Sequence, residues 1–376
     1  VKRTYKYRIY PNKTQKAKLE ATLDTCRFLY NSALRERIEA YKKGVSVNYF
    51  DQSRELSDCK LEISELDDVY GQVLQDVLRR LGRAYQNFFK RTRSKQIPGF
   101  PRFKGSSRYN SFTYPQASRV NVHERTIYLP KIGSVRLKKH RDFDGVLKTC
   151  TIRRDVDQWY VCLTVEVEVK IKLKVEVESS IGIDVGLSSF LTDSNGNKLD
   201  NPNHLENSES KLKERQAILS RKLKGSKNKE KQRLLLSRMY RKIRNQRRNF
   251  HHTLSRRLID NHELVCFEDL DINKMFNGNY NRSIADAGWG QFISILRYKA
   301  EEAGTYAIAV DPSYTSVDCS RCGYPAYKDI HTRMHTCFYC GLVLDRDHNA
   351  AINILRLGTS LLNREVCLTD SSRVGA

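Results

Sequence analysis

Cys319-Ser-Arg-Cys322, fourteen intervening residues, Cys337-Phe-Tyr-Cys340-Gly341, and then Leu344-Asp345-Arg346-Asp347-His348-Asn349 form the most informative stretch of the chain. Two CxxC pairs at this separation allow two tight turns, closed by Gly323 and Gly341, to present four thiolates to one tetrahedral zinc ion. The spacing predicts a zinc ribbon over residues 313–342, with Cys319, Cys322, Cys337 and Cys340 holding a single structural Zn2+. Four buried or redox-active cysteines are the competing reading. Beyond the ribbon, Ala350-Ala-Ile-Asn-Ile-Leu355 is an apolar run of helix length led by Asp345-Arg-Asp347, which puts an acid at a helix start.

Of 376 residues, 67 are Lys or Arg and 43 are Asp or Glu, a formal charge of +24. That excess points to a polyanionic partner, since each neutralised phosphate releases condensed counterions. The length fits two or three domains. No stretch approaches the roughly 18 apolar residues of a spanning helix. Val1-Lys-Arg-Thr-Tyr-Lys-Tyr-Arg8 lacks the apolar core of a secretory signal, so no membrane is expected. Cys26, Cys59, Cys150, Cys162, Cys266 and Cys367 are scattered singly and read as reduced core residues of a cytoplasmic protein.

From the N-terminus, residues 3–10 alternate Tyr5, Tyr7 and Ile9 with Lys6 and Arg8, a strand with one basic face. Asn12, with Gln15 three residues on, predicts a helix cap, and Leu19, Leu23, Cys26, Tyr30, Ala33 and Leu34 follow at helical spacing. A second helical run aligns Val73, Leu74, Val77, Leu81, Ala84 and Phe88, with Gln72, Gln75, Arg79 and Arg80 among its other positions. Helical periodicity stops at Pro98-Gly-Phe-Pro101-Arg-Phe-Lys104. Strand patterns over 108–169, clearest in Trp159, Val161, Leu163, Val165 and Val167, predict with the first strand a small β-barrel interrupted by a helical module.

Ile181-Gly-Ile-Asp184-Val-Gly186 then embeds an acid in a short apolar strand, and Asn195-Gly196 marks a hairpin turn. Residues 211–250 hold sixteen Lys or Arg against Glu214 and Glu230, a net of +14. Under that charge runs a sparse stripe of Leu212, Leu219, Leu223, Leu236, Ile243 and Phe250, which predicts a helical hairpin, divided at Gly225-Ser226, that clasps nucleic acid. Leu264-Val-Cys-Phe267 is an apolar strand running into Glu268; residues 290–303 read as helix and 305–310 as strand. The last residues, from 359, carry little pattern and are expected to be a disordered tail.

Asp184 inside a strand, Glu268 at a strand end and Asp347 at a helix start occupy settings where a carboxylate is costly unless a cation compensates it. Brought together, they suit two Mg2+ ions acting on a phosphodiester; kept apart, they are salt-bridged structural acids. The order strand-Asp, hairpin, basic insert, strand-Glu, helix, strand, ribbon, Asp-helix resembles a RuvC-like nuclease split by insertions. Several motifs resemble the TnpB family, RNA-guided nucleases of insertion sequences related to Cas12 effectors. They are Ile181-Gly-Ile-Asp-Val-Gly186, Phe267-Glu-Asp-Leu270, Ala285-Asp-Ala-Gly-Trp-Gly290, Val310-Asp-Pro-Ser-Tyr-Thr-Ser316, the cysteine pairs and Asp345-Arg-Asp-His-Asn-Ala-Ala351. Upstream, Phe100-Pro-Arg-Phe-Lys104 and Tyr109-Asn-Ser-Phe-Thr113 sit where the family has its connector to the barrel. Val317-Asp318 departs from the pattern, which has a polar Gln after Thr-Ser.

The resemblance implies a multidomain α+β and α/β chain. A wedge-type β-barrel would take residues 1–11 and 101–179, and a helical recognition module 12–100. An RNase H-like (RuvC) nuclease domain would take 180–312 and 343–358, with the basic hairpin at about 204–260. It assigns Asp184, Glu268 and Asp347 to a catalytic triad binding two Mg2+, the four cysteines to Zn2+, and Arg333 to the substrate phosphate; Asp345 is a neighbour rather than a ligand. The implied partners are a guide RNA from the transposon end and double-stranded target DNA, with one protein per guide and association with the nucleoid when DNA is bound. A short DNA motif beside the transposon would be recognised first, with Gln72, Gln75, Asn110 and Thr113 as candidate contacts. A nuclease-inactive RNA-guided repressor and an RNase H-like transposase remain the alternatives.

Overall fold

The computed structural model of the chain describes residues 1–168, 177–276, 278, 280–329 and 332–371, with the side chains of 273 and 365–371 left undescribed. Two compact units divide it, Val1–Val169 and Lys170–Ala376.

In the first unit, β1 (Lys2–Tyr10) buries Tyr7 and Ile9 and sets Lys6 and Arg8, half-buried, on the opposite face. Asn12 then caps α1 (Lys13–Lys42). Its side chain accepts the Gln15 backbone N–H at 2.8 Å, and the Gln15 side chain accepts that of Asn12 at 3.1 Å, a complete capping box. Helices α2 (Tyr49–Glu62), α3 (Ser64–Asp67) and α4 (Gly71–Arg93) follow, α4 burying Val73, Leu74, Val77 and Leu81. Six more strands join β1: β2 (Ser111–Tyr114), β3 (Asn121–Val122), β4 (Thr126–Leu129), β5 (Gly133–Lys138), β6 (Val146–Asp155) and β7 (Gln158–Glu166). All pair antiparallel, in the order β2-β6-β7-β1-β5-β4-β3, so the first strand of the chain lies at the centre of the sheet.

The expected barrel does not close. Strands β2 and β3 end the ladder and do not pair with each other among the described residues. At four and two residues they have few backbone groups to offer for closure. The β2 edge is instead covered by α4, where Arg80 donates to the Ser111 carbonyl at 2.8 Å and to Thr113 Oγ1 at 2.5 Å. Leu19 and Leu74 of the helices share one apolar cluster with Phe112 and Val161 of the sheet.

The second unit has β8 (Ser180–Asp184), β9 (Ser189–Asp193), β10 (Lys198–Asp200), α5 (Glu209–Ser220), α6 (Lys227–Asn261) and β11 (Leu264–Glu268). Then come α7 (Ile272–Met275), α8 (Asn281–Ala287), α9 (Trp289–Ala303), β12 (Tyr306–Val310), the short hairpin β13 (Met334–Thr336) and β14 (Val343–Asp345), and α10 (Arg346–Ser371). Its sheet runs β10-β9-β8-β11-β12; β11 is parallel to both neighbours and β9 antiparallel to both of its own. Helices α6 and α9 cover one face through Leu254, Leu258 and Phe292, and α10 covers the other through Ile354 and Leu362.

The basic segment folds as α5 and α6, divided where Gly225 takes φ +85° and the Ser226 side chain caps α6 by accepting the Lys229 N–H. Leu212 and Ile243 of the stripe are buried, whereas Leu223 stands exposed in the turn. The expected disordered tail does not begin at 359. Helix α10 continues to Ser371, and within it Leu362 packs with Leu264, Cys266, Val310 and Ile354; residues 372–376 lie outside the described residues. Among the described residues no helix is long and apolar enough to cross a membrane.

Candidate active site and metal centre

Side chains alternate across a strand, and that alternation sorts the acids. In β8, Ile181 and Ile183 pack into the cluster shared with α6 and α9, so Gly182 and Asp184 face α10. In β11, Val265 and Phe267 join the same cluster, leaving Leu264, Cys266 and Glu268 towards α10. The parallel register sets Phe267 beside Ile183, which puts Glu268 next to Asp184 at the C-terminal ends of adjacent strands. Asp347 enters from the first turn of α10, where the positive end of the helix dipole favours a carboxylate. Gly182 makes that approach possible: a Cβ there would lie 2.1 Å from the Ala351 carbonyl oxygen and 2.8 Å from Leu355 Cβ.

Two of these carboxyls, Asp184 and Glu268, are displaced from their ordinary ranges. Burial first, then the charges of Glu268 and Asp347, hold the Asp184 carboxyl well above its ordinary range, with Arg346 opposing. Burial also raises Glu268, against the stabilising hydrogen bond that Thr315 Oγ1 donates to its Oε1 at 2.5 Å. Asp345 does different work. Its Oδ1 accepts the backbone N–H groups of Asp347 and His348 at 3.0 and 3.2 Å, an N-cap for α10, and its Oδ2 pairs with Lys198 at 2.7 Å. Burial alone would raise this carboxyl; Lys198 and the cap bonds leave it below the ordinary range. Arg333 lies 3.6 Å from Asp347 Oδ2 and Arg346 3.3 Å from Oδ1, so two guanidinium groups reach the same carboxylate.

The four cysteines meet as the spacing requires. Their Sγ atoms all lie within 4.8 Å of one another, with Cys319–Cys340 and Cys322–Cys337 at 3.6 Å. Four thiolates about 2.3 Å from a tetrahedral zinc would stand about 3.8 Å apart, so the donor set fits that ion. Each CxxC closes on a glycine of positive φ: Gly323 donates to the Cys319 carbonyl at 2.8 Å and Gly341 to that of Cys337 at 2.9 Å.

The four DNA-motif candidates lie on α4 and on the segment leading through β2, and most are held within the protein. Gln72 Nε2 donates to Gln116 Oε1 at 2.9 Å, and Thr113 Oγ1 meets Arg80 and, at 2.8 Å, Thr151 Oγ1. Asn110 bonds the Ser107 carbonyl and receives Arg154. Gln75 is exposed. Sequence reasoning named Thr315 and Asn349 only as motif letters and passed over Asn353, yet all three are buried and hydrogen-bonded, Thr315 to Glu268 itself and the two asparagines to the loop that carries Thr315. The signal was there: Asn349 and Asn353 stand four apart in an otherwise apolar helical run.

Comparison with known proteins places relatives along most of the chain. Residues 161–279 match the OrfB family model of IS605, described as "Probable transposase", and residues 289–354 match the Cas12f1-like TNB domain. Residues 1–45 match a helix-turn-helix domain, where the structure has β1 followed by the single helix α1. The Escherichia coli (strain K12) protein named "Putative RNA-guided DNA endonuclease InsQ" is 31% identical over 95% of this chain and 92% of its own length. A Streptomyces pristinaespiralis protein named "Putative RNA-guided DNA endonuclease" is 34% identical over 95% and 90%. In fold, the chain resembles the Cas12f1 protein of a Cas12f1–sgRNA–target DNA complex, with a TM-score of 0.58 at 16% identity over 94% of this chain and 98% of that one. The chain belongs to the TnpB/OrfB family of IS605-type elements.

Proposed function

We propose that the protein is an RNA-guided DNA endonuclease of a transposable element, with Asp184, Glu268 and Asp347 as its catalytic carboxylates. The observation that carries this reading is their common face: two adjacent strand ends and a helix start aim three acids at one place. The strand order, with β8 between an antiparallel hairpin and parallel β11, supports an RNase H-like, RuvC-type nuclease domain. Three hard oxygen donors, two of them with carboxyls pushed above their ordinary range, suit two Mg2+ ions. Bound there, such ions supply a water nucleophile at neutral pH and charge stabilisation for the leaving oxygen.

The chain's own residues do the rest. Asp345 caps α10 and so fixes where Asp347 stands. Arg333, more than half exposed beside Asp347, is placed to meet a substrate phosphate. The basic faces of α5 and α6 follow nucleic-acid backbone, while pairing with a guide RNA from the transposon end selects the duplex to be cut. Of the candidate motif contacts, Gln75 is exposed and has no side-chain hydrogen bond among the described residues, so it can meet a base edge directly. The zinc in the ribbon is structural, one protein serves one guide, and the complex works in the cytoplasm on nucleoid DNA.

The test is cleavage of plasmid DNA matching the sequenced RNA that copurifies with the protein, in Mg2+. Asp184→Ala should cut at least about 10²-fold more slowly, as expected when a metal-binding group is lost, while still binding the target. Binding without cutting by the parent protein would establish the repressor reading, and DNA joining that survives RNase would establish the transposase reading. Unchanged cleavage by Asp184→Ala would overturn the site.

A further inference from the structure

Among the described residues, one hydrogen bond holds the Glu268 carboxylate, and it comes from Thr315. Thr315 is 3% exposed and sits in the loop between β12 and the first cysteine turn. Its single hydroxyl proton can serve Glu268 at 2.5 Å or the Pro312 carbonyl at 3.0 Å; an ionised carboxylate is the stronger acceptor. Thr315 is itself pinned. Asn353 of α10 donates to the Thr315 carbonyl at 2.9 Å and to the Asp318 carbonyl at 2.7 Å, which fixes the orientation of its amide. One turn earlier, Asn349 donates to the same Asp318 carbonyl at 2.8 Å, and its Oδ1 accepts the Ser320 N–H at 2.9 Å. Cys319, a cysteine of the metal centre, therefore lies between two clamped neighbours.

The Asn353 side chain is buried within an apolar run, and its Oδ1 has no partner among the described residues. A leucine would avoid that unsatisfied acceptor. What the amide provides instead is a continuous path of hydrogen bonds. It runs from the Glu268 carboxylate through Thr315, Asn353, Asp318 and Asn349 to the first cysteine turn, and both asparagines stand on the helix that carries Asp347.

We propose that Thr315 is a positioning residue for Glu268, and that Asn353 and Asn349 make the cysteine ribbon the anchor that keeps Thr315 in place. The ribbon then has a second role beyond any contact with substrate: it sets the geometry of the carboxylate site. A glutamate with three rotatable side-chain bonds depends on such a restraint, because small misplacements of a reacting group are costly to rate. This inference rests on the nuclease reading of the three acids, and its test separates the two.

The full chain with its RNA is compared as parent, Thr315→Val, Thr315→Ser and Asn353→Leu. Thr315→Val should bind target DNA within about twofold of the parent but cleave about tenfold or more slowly in single turnover, the loss expected for one hydrogen bond to a charged group. Thr315→Ser, which keeps the hydroxyl, should recover most of that loss. Asn353→Leu should slow cleavage without weakening binding and without losing its zinc. Independently of cleavage, Mn2+ binding followed by electron paramagnetic resonance should weaken severalfold in Thr315→Val and not in Thr315→Ser. Parent-like behaviour of Thr315→Val, equal damage in the valine and serine variants, or a loss confined to DNA binding would overturn the proposal. If the parent cuts no DNA, the nuclease reading fails alone, and the Mn2+ series still decides the role of Thr315.

Discussion

At residue 182 a single methyl group decides whether α10 can lie on the sheet. The obstacle to a Cβ there is the Ala351 carbonyl oxygen at 2.1 Å, a backbone atom that cannot rotate aside. Gly358 meets a similar limit where α10 crosses β11, with Cys266 Sγ 2.2 Å from its would-be Cβ. The two glycines mark the two strands that end in Asp184 and Glu268. Gly182→Ala should therefore cost about 1–3 kcal/mol in urea denaturation, the range for overpacking a filled core, with an unchanged m value. It should also impair cleavage, since the helix it displaces carries Asp347. A variant as stable as the parent would mean that α10 packs less closely on β8 than the geometry gives. The motif Ile181-Gly-Ile-Asp184 was legible for its acid and its strand; the reason for the glycine was not, because its neighbour comes from a helix about 170 residues later in the chain.

The elements differ in how much of their fold the sequence reveals. Capped helices and alternating strands could be read locally: the capping box at Asn12 and the division of α5 from α6 at Gly225 depend on residues within one or two turns. Closure of the first sheet could not be read, since it depends on what covers the edge of β2, and that cover is Arg80 from another element. The helix over residues 359–371 was missed for the same reason: residues from 359 lack a strong pattern, but Leu362 finds a partner surface on β11 and β12. The ribbon is the opposite case. Among the described residues its regular strands are β13 and β14, three residues each, so the metal must supply most of its stability. Zinc should be present at about one ion per chain, and Cys337→Ser or a strong chelator should remove it. Limited proteolysis should then cut between 319 and 341 while far-UV circular dichroism changes little, because the helices and both large sheets lie elsewhere. A cysteine variant that kept its zinc and its protease resistance would contradict the four-thiolate site.

For the whole molecule the deciding quantity is charge and where it lies. The formal +24 is spread unevenly, and residues 211–250 account for +14 of it. In the structure these residues form α5 and much of α6, whose later part is buried against α9 through Leu254 and Leu258 while Lys222, Lys224, Lys227 and Lys231 stand exposed near the turn between the two helices. A helix anchored at one end and charged at the other is suited to lie along a phosphate backbone without reading its sequence. Replacing these four lysines by glutamine should weaken duplex DNA binding by a similar factor for matched and unmatched targets. The plot of log K against log salt should become shallower by about 3 to 4 units, near 0.9 for each phosphate that the variant no longer neutralises. Cleavage at low salt should suffer least, because the acids are untouched and the remaining cations are screened less there. A salt slope equal to that of the parent would place the polyanion elsewhere on the protein and leave the charge of this hairpin without a partner.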